Sequence, residues 1–359
     1  MYKNLVISIL TLCCLLSACT PDKAELYQQL NKIDSHVHIR TGNPGIMEYA
    51  ASEGFRLLSI NTRSDSQENI DNQKYFARKM EGLYPDRIAW LATFSMEDFE
   101  EPGWAERVIQ NLQADLDQGA VGFKVWKDIG MTFRDSLGRF VFLDDPLFEP
   151  ILEFMAGSGK PLLTHIGEPK NCWLPIDSMT VNNDKSYFSN NPQYHMYLHP
   201  EYPSHNRLIE SRDNVLASFP ELNMVGAHLG SLEWDVDELA NRLDRYPNFA
   251  VDLAARVCHL QVQQREKVRD FCIKYQDRIL YATDFGISEG TDMEEKIKWL
   301  EHEWRSDWSY FATDSLMSSR SVENDFRGLD LSEKVLRKIF YENAIQWYPG
   351  CFPVGRARL

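Results

Sequence analysis

The sequence predicts an α/β protein built as a (β/α)8 barrel, a single domain with a long insertion after strand five and another after strand eight. Three observations carry this expectation. Eight apolar, β-branched runs alternate with helix-like segments, which calls for parallel strands joined by right-handed crossovers. Eight such units fit within 359 residues. Finally, His, Lys or Asp stands at or near the ends of strands one, four, five, six and eight, and a barrel gathers those ends at one mouth. A doubly wound open sheet is the alternative, and it gives no reason for that placement.

The expected strands are Lys32 to His38, Arg56 to Asn61, Ile88 to Phe94, Ala120 to Trp126, Pro161 to Ile166, Asn223 to His228, Asn248 to Leu253 and Ile279 to Asp284. Helices are expected over Asn69 to Leu83, Ala105 to Asp117, Leu147 to Ala156, Leu208 to Ser218, Val236 to Arg245 and Gln261 to Tyr275. In the second of these, Val108, Leu112 and Leu116 share one face. Gly54, Gly119 and Gly159 fall where helices end and strands begin. The insertion after strand five runs from Glu168 to His205 and is rich in Pro, Asn, Tyr and His. Loops of that length are lids or binding elements more often than plain connections. The second insertion, Ser306 to Asp330, follows a helix over Glu294 to Trp304, and a helix over Ser332 to Trp347 closes the chain.

Composition excludes some classes of function. The chain is 43% hydrophobic and 25% charged, which is globular and not disordered. Its net charge of −15 repels nucleic acid and anionic membrane surfaces, so neither is expected as a partner through charge. A small-molecule substrate, anionic ones included, remains open because a metal ion reverses the sign locally.

The N-terminus reads as an address. Lys3 precedes the apolar run Leu5 to Leu16, too short to span a bilayer, and small residues lead to Cys19. Residues 1–18 are expected to be a signal peptide. Leu16-Ser17-Ala18-Cys19 resembles the bacterial lipobox, which implies cleavage before Cys19 and its lipidation. Residues 19–31 are then a lipidated tether and lead-in, and residues 32–359 the barrel. The expected location is exported, anchored on the periplasmic side of a bacterial envelope by lipid alone. Cys172, Cys258, Cys272 and Cys351 remain in the mature chain without any zinc or redox spacing, and read as structural or free.

The chemistry centres on Ile33-Asp34-Ser35-His36-Val37-His38. Side chains two apart on a strand share a face, so His36 and His38 can hold one metal ion together. His165 ends strand five, His228 strand six and Asp284 strand eight, while Lys124 lies inside the apolar fourth strand. Singly, each has an ordinary structural reading: a hydrogen-bonded core histidine, or a turn aspartate. Lys124 is odder, because an unpaired ammonium is costly to bury. Together they form a set at one mouth. Arg40, Arg63, Arg256 and His259 follow strands one, two and seven, and the arginines could grip a carboxylate or phosphate. Trp126 and Trp173 could wall the pocket. His195, His199 and His205 lie in the long insertion, where a separate metal clip is one option and a lid touching substrate through His199 or His205 the favoured one.

As an ordered set, Asp34-Ser35-His36-Val37-His38, Gly122-Phe123-Lys124, Thr164-His165-Ile166-Gly167-Glu168, Gly226-Ala227-His228-Leu229-Gly230, Thr283-Asp284-Phe285 and Tyr341-Glu342-Asn343-Ala344 resemble the amidohydrolase superfamily, in particular its amidohydrolase-related hydrolases and decarboxylases. The resemblance spans Ile33 to Tyr348. It implies a divalent metal, zinc in the first instance, on His36, His38, His165 and Asp284. It further implies that His228 orients substrate or water and that Asp284 takes a proton from water. Lys124 divides two versions. A carboxylated lysine would bridge two ions; a bare lysine would meet an anionic substrate beside one ion, which is the version expected here. The expected activity is metal-dependent hydrolysis of a small lactone, ester or amide. Decarboxylation of a small organic acid is the alternative, and a non-catalytic binding lipoprotein a third reading.

Overall fold

The computed structural model describes residues 22–62 and 65–352. The expected signal peptide, Cys19 and Arg63 lie outside the described residues. Nine strands form the frame: β1 Lys32–Arg40, β2 Phe55–Ile60, β3 Ile88–Leu91, β4 Phe123–Val125, β5 Leu162–Thr164, β6 Met224–Gly226, β7 Phe249–Asp252, β8 Ile279–Leu280 and β9 Phe285–Ser288. All neighbours in this frame are parallel, in the orders β3-β2-β1-β9 and β4-β5-β6-β7-β8.

Two seams join these sheets into the expected barrel. Ala92, just past β3, bridges Phe123 of β4. On the other side, Ser35 N–H donates to Tyr281 O (3.0 Å) and Asp284 N–H to His36 O (2.9 Å). The eighth barrel strand is thus split. Its first half, β8, pairs with β7, its second half, β9, pairs with β1, and Asp284 sits at the break with a left-handed φ of 66°. The expected eighth strand, Ile279 to Asp284, covers the first half alone and stops at the break.

Alternate strand residues divide between two cores, as the period of two requires. Leu57, Trp90, Phe123, Leu162, Met224, Phe249 and Ile279 face the helices. Ile33, Leu58, Leu91, Leu163, Val225, Ala250 and Leu280 face inward, where Trp347, Tyr348 and Phe352 join them. Lys124 follows outward Phe123 and precedes outward Val125, so it points into the barrel. β1 needs a correction of register to do the same. Asp34 pairs with Leu57 but Val37 with Ser59, so β1 carries one extra residue. That bulge switches faces: Val37 and Ile39 go to the outer core, and His36 and His38 turn inward.

The helices match the expected order with three differences. The helix expected to end at Trp304 continues to Ala312, since Trp308, Tyr310 and Phe311 extend its buried face, so the second insertion starts later than Ser306. It contains a small antiparallel pair, Leu316–Met317 with Phe326–Arg327. The first insertion is not all loop: it holds a helix, Asn182–Asn190, and short 3-10 turns. A helix over Gly45–Ser52, absent from the sequence reading, follows β1. The lead-in is a helix, Lys23–Gln29, as its polarity suggested. Cys172, Cys258, Cys272 and Cys351 are free. Among the described residues no helix is long and apolar enough to cross a membrane.

Candidate metal centre and active site

The barrel mouth brings His36, His38, His165, His228, Asp284 and Lys124 to one place. His36, His228 and Asp284 offer ligand atoms all within 4.8 Å of one another. His38 Nε2 lies 3.1 Å from Asp284 Oδ1, and His36 Nε2 lies 3.4 Å from the same oxygen. The His165 ring stands 4.2 Å from that of His228, centroid to centroid.

Hydrogen bonding fixes which ring nitrogens are available. His36 Nδ1 faces Asp252 Oδ2 at 2.8 Å, His38 Nδ1 faces Ile60 O at 3.0 Å, and His228 Nδ1 faces Ala254 O at 2.8 Å. Carboxylates and carbonyls only accept, so each Nδ1 carries the hydrogen and each neutral ring leaves a lone pair on Nε2. For His36 and His38 that lone pair faces the Asp284 carboxylate. Acceptors converging on acceptors repel unless a cation lies between them. A proton would serve, but burial lowers the pKa of His38, and of His228 to about 3, against partial opposition from Asp284. The donor set therefore fits a divalent metal, with nitrogen and oxygen ligands whose outer nitrogens are already oriented. Burial alone would raise the Asp284 pKa. Positive charge on His38, His228 and His36, or a cation shared between their rings and the carboxylate, outweighs it and holds the carboxyl well below the usual range.

Two buried polar atoms at the mouth have no partner: Lys124 Nζ and His165 Nε2. Burial pushes the Lys124 ammonium down to about 8, opposed by the charges of Asp252 and Asp284. Burial likewise drives His165 well below its usual value, helped by His228 and by Lys127. Arg256 is buried too. Its Nη1 donates to Ala255 O (3.0 Å), while Nε is unpartnered. Its charge is felt by both His165 and His228, which places it against the same cluster.

Arg40, two residues past His38 on β1, donates from Nη2 to Thr62 Oγ1 at 2.9 Å, and its charge is felt by His38. His199 is held within its own loop by Pro192 O (3.0 Å) and Glu201 (3.4 Å). His205 is buried with Nε2 on Ser231 O (2.9 Å), so it supports the turn after β6 instead of facing the cavity. His195 Nε2 donates to Leu174 O (2.8 Å), so the three insertion histidines do not share a centre. Trp173 stacks edge-on against His205, and Trp126 lies beside Lys127. His259 is fully buried with Asp184 at 3.4 Å.

Sequence reasoning missed Asp252. One oxygen orients His36; the other accepts from His228 N–H (2.7 Å) and Ala254 N–H (3.1 Å). The signal was present, since Asp252 ends the seventh inward-facing run, but an acid in Val-Asp-Leu looks like any strand-end residue. Also missed were the Lys127–Glu168 ion pair and Glu233. Glu233 Oε1 accepts from Lys170 N–H, Oε2 is unpartnered, and burial lifts its carboxyl to about 7 against the pull of Arg256.

The backbone at the mouth is strained. His228, Leu229, Gly230 and Ser231 have φ of 59°, 56°, 64° and 55°, one complete left-handed turn. Each non-glycine residue there costs about 1–2 kcal/mol, and such strain collects at sites that need it. Gly226 and Gly230 are obligatory. A Cβ on Gly226 would come within 2.8 Å of the Gly230 Cα, and Gly230 is itself left-handed.

With the geometry in place, comparison decides the family. The family model described as Amidohydrolase matches residues 64–350, well over half of the chain. The protein belongs to this amidohydrolase family. The match begins after the His36-Val37-His38 pair, which rests on the structure. The fold resembles 2,6-dihydroxybenzoate decarboxylase from Rhizobium at 15% identity and TM-score 0.53, covering 89% of this chain and 99% of that one. A probable 2-pyrone-4,6-dicarboxylic acid hydrolase from Acinetobacter baumannii gives 10% identity and TM-score 0.50, again covering 89% and 99%. At such identities the likeness establishes the barrel fold of this amidohydrolase and no more. A comparison with curated proteins yields no match.

Proposed function

We propose that this amidohydrolase is a metal-dependent hydrolase of a small organic acid derivative, a lactone, ester or amide. One observation carries the reading: the Nε2 lone pairs of His36 and His38 and the Asp284 carboxylate converge on one point, with His228 beside them. His36, His38, His165 and Asp284 would hold the ion, zinc by the nitrogen-rich donor set, and one ion is favoured over two. A divalent ion there would lower the pKa of a water molecule to about 7 and polarise a substrate oxygen. The side chains supply the rest. Asp284, kept ionised by the positive charge at the centre, takes the proton from attacking water and can return it to the leaving group. His228, its ring locked by Ala254 O, orients the carbonyl under attack. Lys124 and Arg256, buried cations with unpartnered donors, would meet an anionic group of the substrate.

The same two cations favour one competing reading, decarboxylation of a small organic acid, in which no water attacks. Both activities occur in the names of the fold neighbours. The test is metal content together with a panel of lactones and esters against hydroxylated aromatic acids. The hydrolase reading expects near one zinc per chain and turnover of the first group, abolished in Asp284→Asn. Carbon dioxide release from the acids, with no ester or lactone cleaved, would replace it by the decarboxylase. We also propose that the mature protein is anchored by lipid on Cys19, because of the lipobox pattern. Cys19→Ala should then leave the membrane fraction, and retention there would refute it.

A further inference from the structure

We propose that Arg212 is a positioning residue for His228, holding the left-handed turn that aims its ring. The inference rests on the reading of His228 as a site residue. Arg212 belongs to the helix His205–Ser218, on the outer side of the barrel, and would pass in the sequence for a surface cation. It is completely buried. Its guanidinium is shared between two tasks. Nη1 donates to Gly230 O, inside the left-handed turn, while Nε and Nη2 are fixed by Asp213 Oδ1 (3.1 and 2.7 Å). The group also lies over the Phe249 ring, 4.7 Å from its centroid.

The turn cannot hold itself. Its internal bonds, among them Ser231 N–H to His228 O (3.1 Å) and Leu232 N–H to Leu229 O (3.1 Å), are set against three side-chain-bearing residues in a conformation they disfavour. Outside grips make up the difference. Asp252 takes His228 N–H, Ser231 Oγ donates to Gly167 O (2.9 Å), and His205 donates to Ser231 O. Arg212 is the cationic member, and it grips the middle of the turn. A Cβ on Gly230 would meet Nη1 at 2.8 Å, so contact between turn and guanidinium is tight on both sides. Loosening the middle lets the turn relax toward right-handed φ, which rotates His228 Cα–Cβ away from the cluster.

The experiment is residue-resolved amide exchange on the full chain, with zinc affinity measured by chelator competition. In Arg212→Met, the Ser231 and Leu232 amides should exchange roughly tenfold faster while Met224 and Val251 in β6 and β7 keep their rates. Zinc affinity should stay close to wild type, because His228 is not among the proposed ligands. Arg212→Lys, which restores a donor, should return the two exchange rates most of the way to wild type. Asp213→Asn, a milder loosening of the same guanidinium, should raise both rates in the same direction and covers the case in which Arg212→Met does not fold. Unchanged exchange at Ser231 and Leu232, or a uniform acceleration at every amide, would overturn the proposal and make Arg212 a packing residue. If the wild-type chain binds no metal, the proposed function fails, and the exchange pattern still decides the role of Arg212.

Discussion

Lys32 and Lys124 are both completely buried, one under the lead-in helix and the other inside the barrel, and burial pushes both ammonium groups down to about 8. Yet they are opposites. Lys32, at the start of β1, donates to Tyr27 O (2.6 Å) and Leu30 O (2.9 Å) and lies over the Tyr27 ring. It ties the lead-in helix to the barrel wall. Lys124 Nζ has no hydrogen-bond partner. Burial and a shifted pKa therefore do not separate a structural lysine from a functional one; satisfaction does. A buried donor left unmet carries its full desolvation penalty, so a fold keeps it only where a partner arrives later.

The largest expected effect tests whether the unmet groups form one centre. His36→Ala should lose both the metal and activity, because it removes a ligand from the convergence point. Elemental analysis showing full occupancy in that variant would break the assignment. Asp252→Asn is expected to weaken metal binding by about 10–100-fold, since it perturbs the tautomer of His36 and the backbone of His228 together.

The two lysines give the next test directly. Lys32→Met leaves two carbonyls without a donor and should cost about 2 kcal/mol of stability, read from the urea midpoint. Lys124→Met strands no acceptor, so its stability should stay within about 1 kcal/mol of wild type, or rise. It should keep its metal while an anionic substrate loses about 10–100-fold in kcat/KM. A Lys124→Met chain that unfolds as readily as Lys32→Met would erase the distinction.

The contrast also explains what the sequence could and could not show. Period-two alternation was legible, so the strands, the inward direction of Lys124 and the gathering of His165, His228 and Asp284 followed from it. Features that break local rules were not. The extra residue in β1 that turns His36 and His38 inward has no mark in Asp-Ser-His-Val-His. Nor does the split of the eighth strand at Asp284. The left-handed turn after β6 has one glycine among four residues, and tertiary grips impose the rest. Nothing in Ser-Arg-Asp marks Arg212 as buried, and His205 looked available because nothing in Pro-Ser-His foretells Ser231 O as its partner.

The smallest effect concerns pH, and it isolates Lys32 from the metal site. Its pKa falls from 10.5 in the open chain to about 8 in the fold, chiefly through burial, with Glu53 opposing and Arg305 assisting. The folded state thus binds its proton less tightly than the unfolded state does. Below about pH 8 both states are protonated and the folding penalty is complete. Between about 8 and 10.5 the fold has released the proton while the unfolded chain still holds it, so stability from this group rises with pH. The neutral amine keeps donors for both Tyr27 O and Leu30 O, which is why the rise need not cost the helix its tie. The wild-type urea midpoint should therefore gain from pH 8 to pH 10 relative to Lys32→Met, in metal-free protein where the centre does not titrate against an ion. The gap between the two proteins should widen over that interval and stay flat from pH 6 to 7. A gap that narrows instead would mean that Lys32 needs its charge for the two carbonyls, and that a satisfied buried lysine is held by its proton and not merely by its hydrogen bonds.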